Sequence, residues 1–166
     1  MKLPALLPGI ALSQIGKHES GGPNKGSDLR AYFDSDNYRP NATDDGYPWC
    51  ASFVCWCVLT AMRASGVDET PTFRRPRTPS AYGLANWSRA QDNSTRTKDY
   101  PGADIKAGDI VIYKFSHTGI AVTDAVGGEV DVVEGNTNLA GSREGTAVMR
   151  KTRPVSSVRS RIRFTV

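Results

Sequence analysis

Between residues 50 and 64 the apolar residues keep a helical register. Val54, Cys57, Val58 and Ala61 follow Cys50 at steps of four, seven, eight and eleven, which stacks them on one face. Gly66 supplies a stop just beyond. The entering segment, Gly46-Tyr47-Pro48-Trp49-Cys50-Ala51-Ser52-Phe53-Val54, sets a thiol at the opening of this helix, directly after a proline and a tryptophan. Aligned peptide dipoles make a helix start positive, and a thiolate is stabilised there. The thiolate is the reactive form, so Cys50 is a candidate nucleophile.

The other elements fall on either side of that helix. Residues 10–19 read as a short helix ended by Gly21-Gly22-Pro23. Ser27-Asp28 is placed to cap a second short helix running to Phe33. Residues 34–46 are polar and turn-rich and read as a solvated loop. Residues 80–90 form a weaker third helix, and residues 91–108 read as polar connection with Lys106-Ala107-Gly108-Asp109 turning into a strand. Residues 110–115, 117–123, 129–134, 147–151 and 160–166 are short β segments. Helices first and an antiparallel sheet after them is the α+β pattern.

Composition narrows the function. At 166 residues, with 23% charged and 39% hydrophobic residues, the chain is one soluble-type domain with a core of its own. No apolar run is long enough for a membrane span. Met1 to Ala11, broken by Pro4 and Pro8, makes a poor secretory signal. The expectation is a chain made in the cytoplasm without a signal peptide. Three cysteines at 50, 55 and 57 lie too close along one helix to pair, so a disulfide framework is not expected. Their spacing matches no usual zinc site, and only two histidines exist to complete one. No cofactor and no metal is expected. The net charge of +4 collects around Arg74, Arg75 and Arg77, and again over residues 150–163. Solvated faces account for this, and so does attraction to an anionic polymer. No nucleic-acid module or stacking-aromatic pattern accompanies the charge, so nucleic acid is set aside.

A cysteine hydrolase also needs a histidine to carry protons, a polar group to hold the imidazole, and donors for an oxyanion. His117 opens an apolar strand in Ser116-His117-Thr118-Gly119-Ile120-Ala121-Val122. Val133-Glu134-Gly135-Asn136-Thr137 follows, and in an extended strand Glu134 and Asn136 point the same way. Glu134 is favoured as orienter because its charge stabilises imidazolium, with Asn136 as a second participant. The Cys50 backbone N–H, without a partner inside the helix, is one oxyanion donor. Tyr47 and Trp49 are candidates for oxyanion or substrate contact. Each residue has a plainer reading: buried filler for a helical cysteine, a structural histidine, a turn for Glu-Gly-Asn-Thr. What separates the readings is their joint occurrence in one order, each on a suitable element.

Together these segments resemble the CHAP branch of the NlpC/P60 papain-like superfamily. Pro48-Trp49-Cys50-Ala51-Ser52-Phe53-Val54 looks like its nucleophile segment, and the strands around His117 and Glu134 look like its second and third motifs. Glu19-Ser20-Gly21-Gly22-Pro23-Asn24-Lys25-Gly26 is similar to a segment preceding the cysteine in one subgroup. The resemblance implies a papain-like α+β fold over residues 1–166 as a single catalytic domain. It implies a peptidoglycan hydrolase, either an N-acetylmuramoyl-L-alanine amidase or an endopeptidase on stem peptides. A phage endolysin acting as a monomer and reaching the wall through a holin pore fits this best. Competing readings are an antibacterial effector delivered by a secretion machine and a non-catalytic wall-binding module. Some relatives carry a calcium loop before the cysteine. Here Asp34-Ser35-Asp36-Asn37-Tyr38-Arg39 lacks the glycine such a loop needs at its sixth position.

Overall fold

A computed structural model describes residues 1–38, 46–99, 104–142 and 144–166. Four helices come first in the chain: α1 (Leu3–Leu12), α2 (Arg30–Asp36), α3 (Cys50–Ser65) and α4 (Ala81–Ala90). Six strands follow: β1 (Thr95–Asp99), β2 (Ile110–Tyr113), β3 (Thr118–Ala121), β4 (Glu129–Thr137), β5 (Ala147–Pro154) and β6 (Val158–Phe164). They form one antiparallel sheet in the order β1-β6-β2-β3-β4-β5. The expected α+β architecture is therefore present. Among the described residues no helix is long and apolar enough to cross a membrane.

Strand alternation builds two apolar layers. Ile110, Ile112, Ile120, Val133 and Ile162 face the helices. Val111, Tyr113, Ala121, Val132 and Val158 form a second cluster on the opposite face. Every residue of β2 and β3 is buried, which suits strands at the centre of a sheet covered on both sides. Helix α3 lies over β3 and β4 and is apolar nearly all round, so it is buried as the central helix. It stops where Gly66 turns left-handed at φ 71, a conformation that costs glycine little.

Three elements differ from the sequence reading. The first helix runs over Leu3–Leu12 rather than residues 10–19. Pro4 sits in its first turn, where a missing N–H costs nothing. Leu3, Leu7 and Ala11, four apart, form the buried face. The second helix is a 3-10 turn, Ser27–Leu29, running into α2, and no side chain caps either start. Finally, the polar connection contains β1, which pairs with β6 at the sheet edge. Its Thr-Arg-Thr-Lys-Asp sequence carries no apolar alternation, as an exposed edge that must resist further pairing allows.

The joint between helix and sheet is tight at Gly135. A Cβ there would lie 2.8 Å from the Phe53 Cβ and 2.8 Å from the Trp49 ring. Gly9, inside α1, would meet nothing within 4 Å. In urea unfolding, Gly135→Ala is expected to cost about 1–3 kcal/mol from overpacking. Gly9→Ala should add roughly 0.5–1 kcal/mol, because it restricts only the unfolded chain and favours helix.

Candidate active site

Cys50 is the first residue of α3. Trp49 precedes it with φ −117 and ψ 17, and no side chain caps the helix. The Cys50 N–H therefore has no helical carbonyl behind it and remains a donor at the site. Cys50 keeps 5% of its surface, while His117 and Glu134 keep none and Asn136 1%. The sulfur is thus approached along a narrow line. Cys55 and Cys57 sit deeper in the same helix, both free and buried. Burial pushes the Cys55 thiol up to about 12 and Cys57 well above its ordinary value. Those two stay protonated and inert.

His117 occupies the β2–β3 turn, where its carbonyl accepts from the Tyr113 N–H at 2.9 Å and Ser116 turns left-handed at φ 57. Its Nε2 lies 3.0 Å from Glu134 Oε2. Its Nδ1 is buried with no hydrogen-bond partner among the described residues. Burial pulls the imidazole towards neutrality, but the Cys50 thiol and the Glu134 carboxylate outweigh it and raise its pKa to about 9. Cys50 and Glu134 thus act on the same ring, and the nitrogen not taken by Glu134 is the one left for the sulfur.

Glu134 is the most heavily bonded side chain of the site. Tyr113 donates its hydroxyl to Oε1 at 2.7 Å. Arg153 donates Nε to Oε1 at 2.7 Å and Nη2 to Oε2 at 2.6 Å. Burial works against its charge, yet Arg153 and His117 together hold its carboxyl below the usual range. Asn136 does not follow from simple alternation. The β4–β5 register shifts between Glu134 and Thr137, and Asn136 adopts a left-handed φ of 55. The expectation that Glu134 and Asn136 share a face of one extended strand is corrected by that bulge. Asn136 is buried near the end of β4.

The two aromatic candidates are committed elsewhere. Trp49 has no exposed surface; it stacks on Tyr32 with centroids 5.7 Å apart and donates Nε1 to Glu19 at 2.9 Å. Packing of the segment before Cys50, rather than contact with a substrate, is what that geometry provides. The Tyr47 hydroxyl lies 2.9 Å from each oxygen of Asp36. Asp36 also accepts from Ser52 and, at 2.7 Å, from the Tyr38 N–H. It is a buried strut under both sides of Cys50, and burial raises its pKa despite these donors. The reading of Asp36 as part of a solvated acidic loop is therefore corrected. The other aspartates of that polar stretch before the cysteine, Asp44 and Asp45, lie outside the described residues. No cluster of three metal-ligating side chains occurs among the described residues.

Sequence reasoning missed Tyr113, Arg153 and Asp36. Arg153 had been grouped with the basic residues at 150–163, but most of those are paired: Arg150 with Asp131, and Arg161 and Arg163 with Asp104 and Asp109. The segment at residues 19–24 lines a cavity of about 500 Å³ opposite Asn138 and residues 144–146. Through Glu19 it touches Trp49, the neighbour of the thiol.

A thiol at the start of α3 beside an imidazole on an antiparallel sheet is an α+β arrangement of cysteine and histidine. The CHAP domain matches residues 42–136, more than half of the chain, and the chain belongs to the CHAP domain family. Among solved structures, the crystal structure of a wild type endolysin LysIME-EF1 matches with a TM-score of 0.55 at 18% identity. That match covers 98% of this chain and 64% of the endolysin chain, so this chain spans somewhat under two thirds of its length. No curated protein matches the chain.

With two histidines in the chain, proton NMR can follow both imidazoles. The His117 signal should titrate near 9. Glu134→Gln and Cys50→Ala should each lower that midpoint, since each removes a neighbour that favours the charged ring. The sign for stability follows: His117 stabilises the fold fully below its unfolded value of 6.5, and that contribution is lost as pH rises through about 9.

Proposed function

We propose that this chain hydrolyses amide bonds of peptidoglycan stem peptides by acyl transfer through Cys50. The single observation that supports this most is the convergence of Cys50 and Glu134 on the His117 imidazole, with the sulfur at the start of α3. Family membership and the endolysin likeness support the substrate class.

In this reading the Cys50 proton passes to His117, which leaves a thiolate beside an imidazolium for the attack. The thiolate attacks the amide carbonyl, and the developing oxyanion meets the free N–H of Cys50 at the positive helix end. His117 gives its proton to the leaving amine, and water, deprotonated by the now neutral imidazole, releases the acyl group. Glu134 holds the ring and keeps the imidazolium stable. Asn136 borders the site without a step of its own. The cavity lined by residues 19–24, joined through Glu19 to Trp49 beside the thiol, is the groove this reading assigns to the peptide. Residues 1–166 act as one catalytic domain, as a monomer. Cleavage is either at the N-acetylmuramoyl-L-alanine bond or within the stem peptide. A phage endolysin that meets the wall after release from the cytoplasm is the biological setting this reading favours. An effector of the same fold would perform the same chemistry.

Purified peptidoglycan digested with the protein should yield new muropeptides by mass spectrometry, and their masses name the bond cut. Cys50→Ala should reduce release by about 10⁴-fold or more while leaving the fold intact. An unchanged muropeptide profile with the unaltered protein overturns the reading, and full activity of Cys50→Ala overturns the nucleophile. The alkaline limb of kcat/KM should fall as pH rises through about 9, where His117 loses the proton it must donate.

A further inference from the structure

Arg153 lies one strand away from His117's carboxylate partner and does not touch the thiol or the imidazole through any hydrogen bond. Yet it is tied to the site more firmly than an ordinary surface arginine. Its guanidinium forks onto both oxygens of Glu134, at 2.7 and 2.6 Å, and the side chain is only 13% exposed. The same Nη2 donates to the Gly141 carbonyl at 2.8 Å, which fixes the group from the β4–β5 loop. The guanidinium also lies 5.2 Å from the Tyr113 ring centre and 5.4 Å from that of Phe115. Those two rings stack on each other and on His117. Imidazole, phenol, benzyl ring and guanidinium thus converge around one carboxylate.

The groups facing this centre can be named element by element. From α3 comes Cys50, from the β2–β3 hairpin Tyr113 and His117, from β4 Glu134, and from β5 Arg153. Among these Arg153 is the permanent cation. A carboxylate that served His117 alone would hold the imidazolium so tightly that proton release to a leaving amine would be slow. A second cation on the same carboxylate divides its charge. It also compensates Glu134 during the interval when His117 is neutral, when the buried carboxylate would otherwise stand without a counter-charge.

We propose that Arg153 is a positioning residue that shares the Glu134 carboxylate with His117 and, by taking part of its negative charge, keeps the imidazolium able to surrender its proton to the leaving group. The catalytic consequence rests on the hydrolase reading above; the charge sharing itself does not.

The test is a proton NMR titration of His117 in the full chain. Arg153→Gln removes the cation but keeps an N–H donor, and should raise the His117 midpoint by about one pH unit or more. The alkaline limb of kcat/KM should move up with it, and kcat should fall. Arg153→Lys restores the charge without the fork, and should return the midpoint most of the way while kcat recovers only in part. A merely structural arginine would lower the melting temperature of Arg153→Gln and leave the midpoint in place, and that result overturns the proposal. So does a downward shift. If Arg153→Gln does not fold, the unaltered protein decides. The Arg153 ¹³Cζ resonance should shift with the same midpoint as His117, and a flat response overturns the sharing. Repeating the titration in Cys50→Ala separates the two readings, because charge sharing persists there whether or not Cys50 is the nucleophile.

Discussion

The arrangement hangs on one buried charge. Glu134 sits inside the sheet with no surface exposed, and an ionised carboxylate there costs several kcal/mol unless it is compensated. Compensation comes from two strands and a turn: the Tyr113 hydroxyl, the Arg153 fork and the His117 imidazole. Each of these must arrive in register. A slip of β2, β4 or β5 by one residue would turn its contribution to the other face. The demand for neutralisation therefore fixes the sheet locally and, with it, the position of the imidazole.

The sulfur is delivered separately, by a helix. Cys50 comes to the ring only because α3 lies flat on β3 and β4, and Gly135 is what allows that approach. Trp49 holds the incoming chain between Tyr32 and Glu19, and Asp36 holds it from beneath through Tyr47 and Ser52. The Cys50 sulfur and the His117 ring thus belong to different layers, and the packing of those layers sets their separation.

Much of this could be read from residues alone, for identifiable reasons. Helix α3 announced itself because its apolar face and its cysteine fall in one period, β2 did so as a short apolar run, and β4 and β6 by apolar residues alternating with polar ones. Where reading failed, the cause was local chemistry overruled by context. Pro4 looked like a breaker but sits in the first turn, which tolerates proline, and Pro8 lies inside the same helix, whose Leu3, Leu7 and Ala11 are buried. β1 is polar because it is an edge. Glu134 and Asn136 obeyed alternation until a bulge intervened. Arg153 and Asp36 were invisible as site residues because what defines them is a partner far along the chain: Glu134, 19 residues away, and Ser52, 16 away. An arginine in an alternating strand and an aspartate in a polar stretch carry no mark of such engagements.

The three thiols, finally, are unequal, and the inequality bears on redox damage. Cys55 and Cys57 are sealed within α3 and unpaired, so no second sulfur can reach Cys50 to close a disulfide. Peroxide that attacks Cys50 leaves a sulfenic acid with no resolving partner in the chain. Recovery then depends on a small thiol diffusing in along the same narrow approach as the oxidant; without one, the sulfur passes on to sulfinic acid and is lost for good.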